Sequence, residues 1–199
     1  MIIQIRGTNG SGKSTIVRDV MSRYEVKTQI HEAGRRRPLA YELGRNPGKW
    51  LYVPGHYEIA CGGCDTISSP ERVYELVRAA VERGMDALYE GIIIGDDVTR
   101  CAALAKEHQL VVIALDVPIE ECLEAIRSRR QARGDGRPLK EDNTRNRLGR
   151  LKRITDRLNS AGVETYWMNR SDALAFIIRT FDLGSPIKRP DPVFTLEFE

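Results

Sequence analysis

The sequence predicts an α/β fold in which a five-stranded parallel sheet is flanked by helices. Three observations lead there. Short, almost wholly apolar segments alternate along the chain with amphipathic stretches of helical period, the pattern of strands buried on both faces and joined by crossover helices. The first apolar segment runs straight into a glycine-rich turn, Gly7-Thr8-Asn9-Gly10-Ser11-Gly12, that opens the first helix. The 199 residues, 41% hydrophobic and 30% charged, suit one domain with a modest insertion and suffice for a core without disulfide or metal staples.

Each element follows in order. Residues 2–6 are rich in isoleucine and read as a buried strand. Ile16, Val17, Val20, Met21 and Tyr24 recur at helical spacing and put a helix over 14–24. A second strand follows over 26–31. Residues 34–70 read as irregular, punctuated by Arg35-Arg36-Arg37-Pro38, Asn46-Pro47-Gly48, Pro54-Gly55 and Gly62-Gly63, with room for a short strand over 50–53. So long an irregular stretch inside a compact domain points to a functional loop or an insertion. Ser68-Ser69-Pro70-Glu71 starts a helix, with a serine cap, proline in the first turn and glutamate placed for a capping box. Its buried face is Val73, Val77, Ala80 and Val81, and Gly84 ends it. An apolar strand over 87–93 is interrupted by Glu90-Gly91. A helix over 98–108, a strand over 110–116 and a helix over 119–133 follow, the last turning strongly basic. Gly134-Asp135-Gly136-Arg137-Pro138 breaks it. A helix over 143–161 carries Leu148, Leu151, Ile154 and Leu158 on one narrow stripe. A strand over 163–168 and a helix over 172–181, capped by Ser171, complete the pattern. The proline-bearing tail from Gly184 has no helical period, and there is no internal repeat.

Composition excludes several classes. No apolar run approaches the ~20 residues of a membrane-spanning helix. The N-terminus lacks the basic region and long apolar core of a signal peptide, and four cysteines make no disulfide scaffold, so the expected setting is a reduced cytoplasm. Net charge is +3, unevenly spread: residues 127–157 hold 12 Lys/Arg against 4 Asp/Glu, a net +8 that leaves −5 for the rest.

Residues 7–14, Gly-Thr-Asn-Gly-Ser-Gly-Lys-Ser, fit G-x-x-x-x-G-K-[ST] between a strand and a helix, the context a P-loop requires. Glycines at 7, 10 and 12 let the backbone curl so that N–H groups of Thr8, Asn9, Gly10, Ser11 and Gly12 converge on phosphate oxygens. The helix N-terminus adds partial positive charge. Lys13 is expected to reach the β- and γ-phosphates of ATP and the Ser14 hydroxyl to ligate Mg²⁺, while Thr15 touches the α-phosphate or packs in the first turn. A glycine-rich turn without ligand does not explain Lys13-Ser14. The fold is therefore expected to be a P-loop NTPase. The guanine signature Asn-Lys-x-Asp and the transporter signature Leu-Ser-Gly-Gly are absent, and the chain is too short for a AAA module. A nucleotide-kinase-like core with an Arg-rich helical lid over 127–157 remains. Arg127, Arg130 and Arg133, at i, i+3 and i+6, are the candidates to stabilise the transferring phosphoryl group and exclude water, against the alternative of a solvated basic face. The same segment suits a polyanion such as DNA.

Glu90, at a strand end, is the favoured carboxylate to order the metal, with Asp116 as its rival; Asp96 and Asp97 read as helix-capping charges. Cys61-Gly-Gly-Cys64 has zinc-knuckle spacing but no second cysteine pair, since Cys101 and Cys122 fall in helices and only His56 and His31 could complete a site. The simpler reading is a tight loop that holds Asp65 near an acceptor. A hydroxyl acceptor needs its proton removed, and Asp65 is the candidate base, with a turn cap as the alternative. His56 and Tyr57 stack on an acceptor base or simply pack.

Gly-Thr-Asn-Gly-Ser-Gly-Lys-Ser-Thr at 7–15, with Gly-His-Tyr-Glu at 55–58 and Cys-Gly-Gly-Cys-Asp-Thr-Ile at 61–67, resembles small bacteriophage P-loop kinases. Within that group the chain is similar to the 5-hydroxymethyluracil DNA kinases over about residues 1–183. The resemblance implies phosphorylation of the base hydroxymethyl group within phage DNA, a step toward hypermodified thymidines that evade host restriction, in the host cytoplasm. It implies phosphate binding by 7–14 and an acceptor-side role for Asp65. The organisation expected is a kinase domain over 1–183, with 34–70 an acceptor-side insertion, 127–157 the lid and 184–199 a tail. Arg35-Arg36-Arg37 and the basic segment suit a DNA substrate. A small-molecule or free-nucleotide kinase, and a P-loop ATPase or nucleotide-binding interaction protein, are the alternatives.

Overall fold

The structure, a computed structural model, describes residues 1–45, 48–59 and 62–184, and the backbone of Val193–Leu196. The remainder of the expected tail over 184–199 lies outside the described residues, as does Cys61.

Strand β1 (Ile2–Arg6) is buried at every position and leads through the glycine-rich turn into α1 (Lys13–Met21). Strand β2 (Val26–Ile30) follows. Strands β3 (Ala40–Arg45) and β4 (Lys49–Pro54) then form an antiparallel hairpin. A single 3-10 turn, Cys64–Thr66, precedes α2 (Pro70–Glu82), where the Ser69 hydroxyl accepts the Arg72 N–H at 3.2 Å. Strand β5 (Asp86–Glu90), a 3-10 turn (Ile94–Asp96) and α3 (Val98–Glu107) come next, with Asp97 capping α3 through the Arg100 N–H. Strand β6 (Leu110–Leu115), helices α4 (Ile119–Gln131) and α5 (Glu141–Ser160), strand β7 (Glu164–Met168) and helix α6 (Arg170–Thr180) complete the core, and β8 (Val193–Leu196) adds an edge strand.

The strands form one sheet in the order β7-β6-β1-β5-β4-β3-β2-β8. Every expected strand is present, but the five-stranded parallel sheet is corrected to a mixed sheet of seven strands over residues 2–168, with β8 as an eighth. The hairpin makes the difference: β3 runs antiparallel to both β2 and β4, while β4 meets β5 in parallel. Its first strand lies in the stretch read as irregular. The burial of β3 does not alternate, and Gly44 sits mid-strand against the Trp50 ring, so neither the period nor the composition of a strand is visible there. The strand expected over 87–93 ends at Glu90, because the chain turns at Gly91. The cap of α6 is Asn169, which accepts the Asp172 N–H at 2.9 Å; the Ser171 hydroxyl instead donates to the Asn169 side chain.

Alternate residues of the central strands enter two cores. Ile3, Ile5 and Ile113 pack with Val17, Val20, Ala173 and Ile177 under α1 and α6. Ile2, Tyr89 and Val112 pack with Val73, Val77, Leu104, Ile154 and Leu158 under α2, α3 and α5. Period-2 strands between amphipathic helices dictate this layering. It leaves the carboxyl ends of β1 and β5 adjacent, where an open α/β sheet binds its ligands. Among the described residues no helix is long and apolar enough to cross a membrane.

Candidate active site

A cavity of about 600 Å³ opens at the carboxyl ends of β1 and β5. Asn9, Gly10, Gly12, Lys13, Ser14 and Thr15 form its floor, and Asp65, Glu90, Arg18 and Arg129 stand around it. The floor is shaped by backbone that only glycine tolerates. Gly10 has φ of 78° and Gly12 φ of 94°, and a side chain at Gly10 would strike the Cys122 carbonyl oxygen at 2.2 Å. Lys13 is buried and curls over the loop, its Nζ donating to the carbonyls of Gly7 at 3.0 Å and Thr8 at 2.9 Å. Thr8 hydrogen-bonds the Cys122 thiol at 3.3 Å, which fastens the loop to α4. Arg170 Nε donates to the Ser11 carbonyl at 3.0 Å, fastening it to α6. The Ser11 hydroxyl is buried without a hydrogen-bond partner. An orphaned donor beside a curled, N–H-rich backbone fits a polyphosphate.

Glu90 ends β5 with only 2% of its surface exposed. Its Oε1 accepts the Ser14 hydroxyl proton at 2.7 Å. Burial pushes the Glu90 carboxyl above its ordinary value, and Lys13 and Ser14 oppose that shift. Burial likewise lowers the Lys13 ammonium, with Glu90 and Asp65 opposing. A hydroxyl and a carboxylate side by side form an oxygen donor set suited to a hard cation such as Mg²⁺. Asp116 lines a separate cavity with Lys152, Asp156 and Trp167, so of the two rival carboxylates only Glu90 stands beside the P-loop.

Asp65 is exposed on the cavity wall, in the 3-10 turn after the glycine pair. Its Oδ1 accepts the N–H groups of Ile92 at 2.8 Å and Ile93 at 2.9 Å, and its Oδ2 accepts Ile92 at 2.9 Å. The carboxylate therefore fixes the turn after β5 rather than capping α2, where Ser69 serves. The loop that presents it closes on itself. The Gly63 N–H donates to the His56 carbonyl at 2.8 Å, and a side chain at Gly62 would lie 1.9 Å from that oxygen. Cys64 is buried, its thiol pushed up by desolvation, and among the described residues no three His, Cys, Asp or Glu side chains group to hold a metal. His56 and Tyr57 are both buried, so they pack rather than offer open stacking faces.

The lid candidates divide. Arg129 and Ala125, one turn apart on α4, line the P-loop cavity. Arg127 turns to Glu124 and Glu141, and Arg130 to the Arg137 carbonyl and to Asp135; both line another cavity between α4 and α5. Arg133 is exposed one turn beyond Arg129. The i, i+3, i+6 pattern marks the basic helix, but two of its members, Arg127 and Arg130, line the cavity between α4 and α5 instead of the P-loop cavity. Arg18, one turn beyond Ser14 on α1, was also missed; the P-loop helix register was the available signal. It donates to the carbonyls of Tyr57 at 3.0 Å and Ile59 at 2.9 Å, tying the loop after β4 to α1. Arg147 on α5 reaches the Ile92 carbonyl and, at 2.8 Å, Asp96. Only the fold brings it there.

No protein-family model matches the chain. It is similar to the 5-hmdU DNA kinase of Pseudomonas phage PaMx11, 38% identical over 174 residues that span 86% of this chain and 92% of that protein. It is 28% identical to the 5-hmdU DNA kinase of Delftia phage PhiW-14, over 96% of this chain and 76% of that one. It is also 28% identical to the 5-hmdU DNA kinase of Pseudomonas phage M6, over 80% and 86%. Among solved structures, deoxyadenosine kinase from M. mycoides superposes with a TM-score of 0.44 at 13% identity, over 92% of this chain and 98% of that one. On the extent and identity of the match with the phage enzymes, this chain belongs to the family of 5-hmdU DNA kinases.

Proposed function

We propose that the protein transfers the γ-phosphoryl group of ATP to the hydroxymethyl group of 5-hydroxymethyluracil in phage DNA, a step in thymidine hypermodification that shields the genome from host restriction. One observation carries the reading: a single cavity is lined both by the P-loop and by an exposed carboxylate, Asp65. The first suits a nucleoside triphosphate and the second an alcohol. The names of the phage relatives supply the acceptor.

Each residue then has a task. Loop N–H groups over 8–12 hold the β- and γ-phosphates, and Lys13 exchanges its carbonyl partners for their oxygens. Ser14 and Glu90 would hold Mg²⁺, which when bound neutralises charge on the phosphates. Asp65 takes the proton of the attacking hydroxyl. Its hydrogen bonds to the turn after β5 keep the carboxylate aimed at the acceptor while leaving lone pairs free. Arg129 lies over the cavity to meet charge that spreads on the transferring group. Helices α4 and α5 act as the lid and the 34–70 segment as the acceptor side of a kinase domain over 1–183.

Incubation with γ-labelled ATP and 5-hydroxymethyluracil-containing DNA, against a panel of free nucleosides and nucleotides, tests the reading. Label is expected in the DNA. Replacement Lys13→Ala is expected to reduce transfer by at least about 10²-fold, the scale of losing one preorganised donor to the reacting phosphate. Label confined to free nucleotides, or hydrolysis without an acceptor, overturns the assignment.

A further inference from the structure

Three consecutive arginines follow β2, and the phosphoryl-transfer chemistry does not use them. Arg35, Arg36 and Arg37 line a second cavity of about 310 Å³ together with His56 and Thr66. Thr66 belongs to the P-loop cavity as well, so the two cavities share a wall one residue from Asp65. Arg35 donates from Nη2 to the Thr66 carbonyl at 3.2 Å, while its Nε is buried without a partner. Arg37 Nη1 stands 3.4 Å from His56 Nε2. His56 itself is 3% exposed, and its Nδ1 has no hydrogen-bond partner, the Glu58 carboxylate standing off at 3.8 Å. Arg36 is exposed and, among the described residues, forms no hydrogen bond or ion pair.

A run of like charges on a surface ordinarily splays into water. Here its two flanking members are tied down, Arg35 to the acceptor-side turn and Arg37 beside a buried imidazole, and the middle one lines the same cavity with its donors unspent. Three guanidinium groups lining one cavity, two of them anchored and the middle one with all its donors available, suit an oxyanion of phosphate geometry. A free nucleoside carries no such anion. A nucleotide within a strand carries a phosphodiester on each side.

We propose that the arginine cavity is the subsite for the backbone phosphate adjoining the reacting nucleotide, and that it selects DNA over free nucleosides. This rests on the acceptor reading above. With the hydroxymethyl group at Asp65, the strand passes the shared wall at Thr66 and its phosphate meets Arg36, with Arg35 and Arg37 completing the positive rim.

Steady-state transfer to a single-stranded oligonucleotide containing one 5-hydroxymethyluracil, measured across a salt series, tests it. Arg36→Gln is expected to raise KM for the oligonucleotide about tenfold, as loss of one charge-assisted contact. It should flatten the plot of log KM against log salt by about 0.7, the single-strand value for one phosphate contact. The KM for ATP stays within about twofold, because the substitution lies outside the P-loop cavity. Arg36→Lys should restore the salt slope. A neutral methylphosphonate at the adjoining linkage should raise KM in the parent enzyme and add nothing in Arg36→Gln. Unchanged oligonucleotide KM and salt slope in Arg36→Gln, with the parent enzyme labelling the DNA, overturn the subsite alone. A parent enzyme that labels free 5-hydroxymethyldeoxyuridine and not the oligonucleotide overturns the acceptor reading and the subsite with it.

Discussion

Arg127 and Arg129 are two residues apart on α4, so their side chains leave the helix in nearly opposite directions. That separation divides one basic helix into two kinds of arginine. Arg129 overlooks the P-loop, whereas Arg127 and Arg130 are engaged by Glu124, Glu141 and Asp135. Exposed ion pairs of the second kind are worth at most about 1 kcal/mol. A group that meets developing phosphoryl charge is worth several times that. Arg129→Ala is therefore expected to slow single-turnover label transfer by about 10²- to 10³-fold. Arg127→Ala and Arg130→Ala should each slow it by less than about fivefold. A larger loss at Arg127 than at Arg129 would contradict the assignment. The glycine-rich loop stands out in the sequence because motif and context coincide, and Glu90 because a carboxylate ends an apolar strand, and the fold sets the two side by side. The choice among the lid arginines was not legible, since spacing defines faces of a helix without saying which one the core occupies.

Between elements, the turn after β5 is where Asp65, Arg6 and helix α5 meet. Buried Arg6 supports it from below, donating to the Gly95 carbonyl at 2.7 Å and to Gln4. Asp65 holds its leading N–H groups, and Asp96 accepts Arg147 at 2.8 Å and Arg150 at 3.1 Å. Helix α5 is thus docked at its middle by ion pairs and further along by Leu151, Ile154 and Leu158. The apolar stripe announced the second contact in the sequence. The first joins residues some fifty positions apart, and no local pattern encodes it. The same distinction separates the elements read well from those read poorly. Helix α2 has a proline, a serine cap and a regular apolar face, all local. The β3–β4 hairpin acquires its strand character from neighbours on both sides, which a sequence window does not contain. Asp96→Ala leaves two arginines without their shared carboxylate. It should accelerate amide exchange in the first half of α5 while β1 and α1 keep their protection, and lower unfolding stability by roughly 1–2 kcal/mol. Uniform exchange across the molecule, or none gained in α5, would show that Asp96 does not hold that helix.

Across the whole molecule, a half built around the glycine-rich loop from β1, α1, β5 and β6 adjoins a half assembled from β2, the hairpin and the 55–67 loop. The +8 of residues 127–157 is drawn down by acids outside that segment, Glu120, Glu124 and Asp96 among them, so the basic segment is more nearly matched in space than in sequence. His56 sits where the second half converges. It bridges to Gly63, stands against Arg37 from the segment after β2, and faces Glu58 from its own loop. Burial lowers its pKa below the ordinary 6.5, and Arg37 and Arg35 lower it further against the opposing Glu58. The folded protein then binds fewer protons at this site than the unfolded chain, so folding holds the imidazole neutral. Its contribution is complete above the unfolded value of about 6.5 and is lost as pH falls below it. Because His56 joins the 55–67 loop to the segment after β2, its titration should loosen those two segments together. The urea midpoint of the parent protein is expected to fall more steeply from about pH 7.5 to about pH 5.5 than that of His56→Gln, which cannot acquire the proton. Equal falls in the two proteins would assign the acid sensitivity to other groups and remove His56 as the link between those segments.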